Sequence, residues 1–358
     1  MSESAINALR ELTNAPGAPG FEGEIRAIFT RELKDLGNLS TDAQGSVLCE
    51  RGDGPRVMLT AHMDEVAFRV QSVTPEGFIK FVSLGGWWSH TLLSQRVSVM
   101  TSDGGSIPGV VGSKPPHFLS DAERSRVLLM EEMFIDVGAA SDKDLKDNFG
   151  IRIGDPIVPV SEFTPLHNQR LLMAKAFDNR VGMACLIEAT RQLAAKDHPN
   201  TLIACATVQE ELGMRGAATA AMKAKPDVAI VLEGTPADDT PGASAGVAQG
   251  VLGKGVQIRL QDPSAIMNPA LVDLVVQVAE QNSIPHQLAV RTSGGTDARA
   301  FHLSGTGVPS VVLGVPARYI HSHNSIIDVE DYHAMLQLSV ALVQALRQDK
   351  VNALTRYL

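Results

Sequence analysis

A chain of 358 residues, 44% hydrophobic and 20% charged, has room for one large core or two domains and the composition of a soluble globular protein. A formal net charge of -9, with no cluster of Lys or Arg, excludes nucleic acid and anionic membrane as partners. No apolar run reaches spanning length and the start, MSESAINALRELTNAPG, carries acidic residues and no apolar h-region, so neither a transmembrane helix nor a signal peptide is expected.

In chain order, SAINALRELTNAPG and FEGEIRAIFTRELKDLG space apolar residues at three and four, the pattern of two amphipathic helices that stop at Pro-Gly and Gly. GSVLCERG and PRVMLTAHMDEV follow as strands. From about Phe68 the texture changes to short alternating runs broken by Gly, Pro and Asp, such as FRVQSVTPEGFIKFVSLGG, QRVSVMTSDGGSIPGVVG and GDPIVPV. Only SDKDLKDNFG and the stretch around DAERSRVLLMEEM predict short helices there. Beyond about Arg170 helices and strands alternate: AFDNRVGMACLIEATRQLAAK, LIACATVQE, RGAATAAMKAK, DVAIVLEG, NPALVDLVVQVAEQNSI, PHQLAVRT, TDARAFHLSG, PSVVLGVPARYIH and a closing helix DVEDYHAMLQLSVALVQALRQ. Such alternation predicts an α/β fold with a mostly parallel sheet covered by helices on both faces. The simplest division is an α/β unit split between 1–68 and 167–358, with a β-rich insertion at 69–166. Cys49, Cys185 and Cys205 lie far apart in apolar or strand-like surroundings, the pattern of buried free thiols in a reducing compartment, and a cytoplasmic protein is expected.

Functional groups of such sheets collect at the carboxyl ends of the strands. The polar residues found there are His62 and Asp64, Asp178, the pair Glu210-Glu211, Glu233 and His321. Each has a bland reading: a hydrogen-bonded rim histidine, a helix cap at Asp178, a solvated turn or rim glutamate. Together they have a common explanation. Adjacent like charges at the end of an apolar run are costly to bury. Two divalent cations would neutralise the carboxylates, using two histidines and three carboxylates if one carboxylate bridges. One glutamate of the pair can then ligate while the other stays free as a base.

The stretches AHMDEV, KAFDNRVG, EELGMRGA, VLEGT, GGTDA and RYIHS, in this order, resemble metallopeptidase family 42, a group of tetrahedral-shell, deblocking and glutamyl-type aminopeptidases that includes proteins labelled endoglucanases. The similarity runs along nearly the whole chain, through GGWW and a VNAL-type tail. The resemblance implies a catalytic α/β domain with an inserted β-barrel-like dimerisation domain. It also implies two divalent ions, zinc or cobalt with manganese also suited to such N/O ligands. His62 and Glu233 would hold the first ion, Glu211 and His321 the second, and Asp178 would bridge. His321 takes precedence over His323 because it directly follows RYI. Glu210 would be the general base for water, and Asp64 would orient His62 from behind. Substrates would be peptides with a free amino terminus, cleaved by a homo-oligomer built from dimers into a tetrahedral dodecamer with inward-facing sites.

Three departures from the family pattern stand out: Glu233 where the family has Asp, Arg299 where GTDAG or GTDGG has Gly, and Ala174 before KAFDNR. Thr296 and the backbone of GGTDA are expected to shape the pocket for the first side chain, and Arg299 to attract an acidic one, with a surface or salt-bridged arginine as the competing reading. Trp87-Trp88 reads either as an interface anchor or as barrel packing. The nearest rival function is a cocatalytic-zinc amidohydrolase of the carboxypeptidase or aminoacylase type, which places its smaller domain after the Glu-Glu pair. More distant rivals are a glycosidase working with two carboxylates and no metal, and a non-catalytic shell protein.

Overall fold

The computed structural model describes residues 3–242 and 246–357. Helices α1 (Glu3–Asn14) and α2 (Gly23–Leu33) open the chain. The second buries Ile25, Ile28, Phe29 and Leu33, the three-and-four stripe expected of an amphipathic helix. Strands β1 (Asn38–Thr41), β2 (Val47–Arg51) and β3 (Arg56–His62) follow. The insertion carries β4 (Ala67–Val73), β5 (Ile79–Leu84), β6 (Arg96–Met100), β7 (Ser106–Gly112), helix α3 (Asp121–Arg124), β8 (Phe134–Asp136), α4 (Asp142–Asp147) and β9 (Pro156–Pro159). Its two short helices fall where the sequence predicts them, each started by a serine that accepts a backbone N–H: Ser120 from Glu123 and Ser141 from Asp144.

The chain then returns to the first sheet with β10 (Thr164–Pro165), β11 (Leu171–Ala174), α5 (Phe177–Ala194), β12 (Thr201–Thr207), α6 (Arg215–Ala224) and β13 (Val228–Pro236). It ends with β14 (Val256–Asp262), β15 (Ala265–Ile266), α7 (Pro269–Gln281), β16 (His286–Val290), α8 (Ala298–His302), β17 (Ser310–Arg318), β18 (Ser325–Asp328), α9 (Val329–Ala345) and α10 (Gln348–Ala353). Asn268 caps α7 by accepting from the Leu271 N–H at 2.9 Å, and Pro269 sits at its first position, where a missing N–H costs nothing.

The large sheet is mixed. Its centre is parallel, in the order β12-β3-β13-β17, and antiparallel strands flank it: β2 and β1 beyond β12, β14 and β18 against β17. The central strands are buried along nearly their whole length, so they read as continuous apolar runs rather than as alternation. Helix α5 packs against β3 and β13, with α1, α2 and α9 around it, while α6 and α8 pack together over β12, β13 and β17. The short hairpin partner β1 is not predicted by the sequence. Four residues following Gly37 carry too little pattern, and pairing with β2 is what makes them a strand.

The insertion is a closed antiparallel barrel, β4-β5-β8-β7-β6-β9, with β9 pairing back to β4. It has its own core, including Phe68, Val70, Ile79, Val99, Ile135 and Ile157. Two separate cores, one under the sheet and one in the barrel, give an α/β fold with an inserted small barrel. Among the described residues no helix is long and apolar enough to cross a membrane.

Candidate metal centre

Parallel register brings the ends of the central strands level. Thr207 at the end of β12 pairs with His62 at the end of β3, and the Met63 N–H extends the ladder to the Thr207 carbonyl at 2.8 Å. Glu210 and Glu211 follow in a turn closed by the N–H groups of Gly213 and Met214 on the Glu210 carbonyl, both at 2.8 Å. Asp64 holds that turn in place. Its two carboxylate oxygens accept the Glu210 N–H at 2.9 Å and the Glu211 N–H at 3.1 Å. Asp64 also lies behind the imidazole of His62, whose Nδ1 is 3.1 Å from the Asp64 carbonyl and 3.4 Å from its carboxylate. One buried aspartate therefore positions groups on two strands at once.

The far nitrogen of His62 faces the cluster: Nε2 lies 3.1 Å from Asp178 Oδ1, 3.6 Å from Glu233 Oε2 and 4.0 Å from Glu210 Oε2. The second oxygen of Asp178 is 3.3 Å from His321 Nε2, which is also 3.3 Å from Glu211 Oε1. Asp178 therefore sits between two imidazoles, one on each oxygen. His321 is oriented through Nδ1, 2.8 Å from the Gly86 carbonyl, so the barrel reaches into the site at the GGWW stretch. Glycine is needed there: Gly85 has φ +91°, and a Cβ on it would run into Val66 and the Glu211 side chain. Residues without that freedom also adopt left-handed backbone beside the cluster, namely Ala176, Gln209 and His321. Each such position costs about 1–2 kcal/mol, a strain characteristic of functional sites.

Apart from the imidazoles of His62 and His321, little positive charge compensates these acids. The buried cations nearby, Lys175 and Arg180, are both engaged by Glu65: Lys175 Nζ donates to its two oxygens at 2.6 Å and Arg180 to one at 3.1 Å. Burial therefore outweighs the opposing charge of the histidines at Glu210, Glu211 and Glu233, whereas the two imidazoles hold Asp178 below the usual carboxylate range. Burial raises Glu210, with the charges of Glu211, Asp297 and Glu233 acting in the same direction. It lifts Glu233 to about 7 and also raises Glu211. Burial alone would depress the histidines, but Glu233, Asp178 and Asp64 raise His62, and Asp178 with Glu211 brings His321 to about 11.

The donor set fits a divalent ion. Among the described residues three triads, His62-Asp178-Glu233, Asp178-Glu211-His321 and His62-Glu210-Glu211, each offer ligand atoms within 4.8 Å of one another, and the first two share Asp178. Imidazole nitrogens and carboxylate oxygens suit zinc, cobalt or manganese. Glu211 Oε1 is buried and its close polar contact is His321 Nε2 at 3.3 Å, so both atoms face the space a cation would fill. Glu233 reaches the first triad, so its longer arm in place of aspartate keeps it among the donors. His323 joins none of these triads and packs its ring 5.5 Å from Trp87. Because the carboxylates raise both histidines, metal uptake at neutral pH must displace protons. The affinity of chelated protein for zinc or cobalt is expected to rise from pH 6 to pH 8. Calorimetry in buffers of different ionisation enthalpy should register at least one proton released per ion bound.

A cavity of about 500 Å³ opens on this cluster and is lined by Glu210, Arg259, Ser293 and Thr296 as well as the donors. Thr296 lies in that lining. Arg299 does not: it is exposed on α8 and is not among the lining residues, because the turn of that short helix carries it to solvent. The arginine that faces the cavity is Arg259 on β14, almost wholly buried. Asp262 holds its Nη1 at 3.3 Å, and its Nε has no partner. Sequence reasoning also missed Asp297, fully buried, accepting from the Thr207 hydroxyl at 2.6 Å and raised by burial to about 6. Its place before α8 rather than at a strand end hid it; an acid directly after Gly-Gly-Thr was the available signal.

Clustered acids and imidazoles at the carboxyl ends of parallel strands, beside a cavity of substrate size, define a metal-dependent hydrolase. The chain belongs to the M42 glutamyl aminopeptidase family, whose profile matches residues 45–338. It is 35% identical to the glutamyl aminopeptidase of Lactococcus lactis subsp. cremoris over 98% of this chain and 99% of that one. Among solved structures, it superposes with a TM-score of 0.95 on the TET aminopeptidase of the marine sediment archaeon Thaumarchaeota archaeon SCGC AB-539-E09, at 40% identity over 99% of this chain and 100% of that one. The Pyrococcus horikoshii TET1 peptidase, which can assemble into a tetrahedron or a large octahedral shell, gives a TM-score of 0.85 at 32% identity, covering 96% and 100%. The protein is an aminopeptidase, a hydrolase of peptide bonds that binds divalent metal.

Proposed function

We propose that this aminopeptidase works with two divalent ions and with Glu210 as its general base. The observation that carries the reading is the sharing of Asp178 by two donor triads that between them use both histidines, while Glu210 belongs to a third, with His62 and Glu211, and lies 4.0 Å from His62 Nε2. In this reading His62 and Glu233 would hold one ion and Glu211 and His321 the other, with Asp178 common to both donor sets. Bound ions would supply the Lewis acidity that lowers the pKa of water and polarises a carbonyl. Asp64 fixes the His62 ring and, through the Glu210 N–H, the base itself. Glu210 takes the proton of the attacking water and returns it to the leaving amine. Zinc or cobalt is the proposed metal, with manganese also suited to the donors. Hydrolysis of a panel of aminoacyl anilides by chelated enzyme, resupplied with single metals, tests the reading. Anilide hydrolysis that survives complete chelation would overturn the metal-dependent mechanism.

Peptides with a free amino terminus are the proposed substrates. A cocatalytic-zinc amidohydrolase would also accept a blocked terminus, and the barrel's position ahead of Asp178 disfavours that rival. Within the cavity Arg259 assigns a preference for an acidic first residue, since a buried guanidinium with a free Nε is an unmet demand for a carboxylate. Replacing Arg259 with leucine should lower the kcat/KM ratio of glutamyl over leucyl substrates by about tenfold or more, read from paired anilide assays.

We further propose the division into a catalytic domain, 1–68 with 167–358, and a dimerisation barrel, 69–166, with dimers assembling into a tetrahedral dodecamer as the likeness to the TET peptidases suggests. A cytoplasmic setting fits Cys49, Cys185 and Cys205, all free and buried.

A further inference from the structure

The two tryptophans of GGWW behave differently. Trp87 is built into the barrel: its ring stacks on Phe68 at 4.6 Å and its Nε1 donates to the Ala67 carbonyl at 3.1 Å. Trp88 is 64% exposed, and its ring neighbour among the described residues is His90 at 4.7 Å. Across from it Tyr319 is 55% exposed, on a backbone turned to φ 60° and pinned where its carbonyl accepts from the Ser322 and Ser325 hydroxyls. These rings flank a groove of about 730 Å³.

The groove is a continuation of the catalytic cavity. Both are lined by Gly86, Ile320 and His321, while Arg259 and Thr296 line only the cavity. A peptide whose first residue fills the cavity and whose scissile carbonyl lies at the cluster must carry its next residue past His321. The chain advances about 3.3 Å per residue when extended. It then enters a channel walled by two exposed aromatic rings, which offer large apolar faces at low entropic cost. We propose that Trp88 and Tyr319 form the subsite for the second residue of the substrate and that this subsite favours an aromatic or aliphatic side chain. The proposal rests on the aminopeptidase reading of the cluster.

Holoenzyme kinetics test it. Two tripeptides sharing the enzyme's best first residue, one continuing Phe-Gly and the other Gly-Gly, give a kcat/KM ratio favouring Phe. In Trp88→Ala that ratio should fall by about five- to tenfold, and Trp88→Phe should restore most of it. An unchanged ratio overturns the subsite. A second readout needs no variant. The chain has just two tryptophans, so adding the leaving fragment Phe-Gly to wild-type holoenzyme should shift the emission to shorter wavelength. If emission is already short in the assembled protein and moves to longer wavelength only on dilution to smaller species, a second copy covers the groove and the proposal fails. Failure to cleave either tripeptide would count against the aminopeptidase reading itself.

Discussion

Glu210→Gln is expected to reduce kcat by about 10²–10⁴ and to leave metal content unchanged, because the substitution removes a proton acceptor without changing the size of the side chain. The geometry separates this residue from its neighbour. Glu211 lies 3.3 Å from His321 and shares a donor triad with it and Asp178, whereas Glu210 approaches His62 at 4.0 Å and joins a triad with His62 and Glu211 but not with Asp178. Asp64 binds the backbone N–H groups of both, so the variant keeps the turn that presents Glu211. Glu211→Gln should behave differently and lower both metal content and rate. Metal analysis beside steady-state kinetics distinguishes the two variants. Near-native turnover of Glu210→Gln would remove the glutamate from the proton transfers.

Glu65→Gln is expected to destabilise the fold by about 3–5 kcal/mol, because it leaves buried charge unpaired. Glu65 is the partner of two cations: Lys175 donates to both of its oxygens and Arg180 to one, and all three side chains are buried. Arg180 already has Nε and Nη1 without partners. Burial depresses both cations, and the charge of Glu65 is what opposes it. A neutral amide could still accept the Gly17 N–H that now bonds to Oε1 at 3.1 Å, but it would leave two desolvated cations unneutralised. For a chain of this length the loss corresponds to a fall in Tm of about 4–7 °C in a thermal scan. Removing a cation as well, in Glu65→Met with Lys175→Met, should recover part of it, since a buried pair replaced by apolar groups costs far less than one broken. Equal stability of Glu65→Gln and the wild type would show that water reaches the cluster.

These three residues also show why the site forms where it does. Glu65 follows Asp64 in AHMDEV, and Lys175 and Arg180 flank Asp178 in KAFDNR. The same two stretches that carry cluster residues outward carry an ion-pair clamp inward, which ties the loop after β3 to the start of α5.

Much was legible from residue order alone. The change from alternating short runs to α/β rhythm marks the barrel, because strands with one wet face alternate while covered parallel strands do not. Polar residues that end apolar runs mark His62, Asp178, Glu210, Glu211, Glu233 and His321, because a strand end is where a buried run meets the cavity. What tertiary structure alone decided was proximity and direction. Arg259 lies mid-strand in β14 and reads as an ordinary strand arginine until the sheet turns it into the cavity, while Arg299 beside the GGTDA stretch turns out to solvent. His321 and His323 are two residues apart and equivalent by type, yet the left-handed backbone at His321 and its bond to the Gly86 carbonyl give it to the cluster. Residue type and period determine which elements form and which groups stand at their ends. Which of those groups meet depends on packing between segments hundreds of residues apart, and no local pattern encodes it.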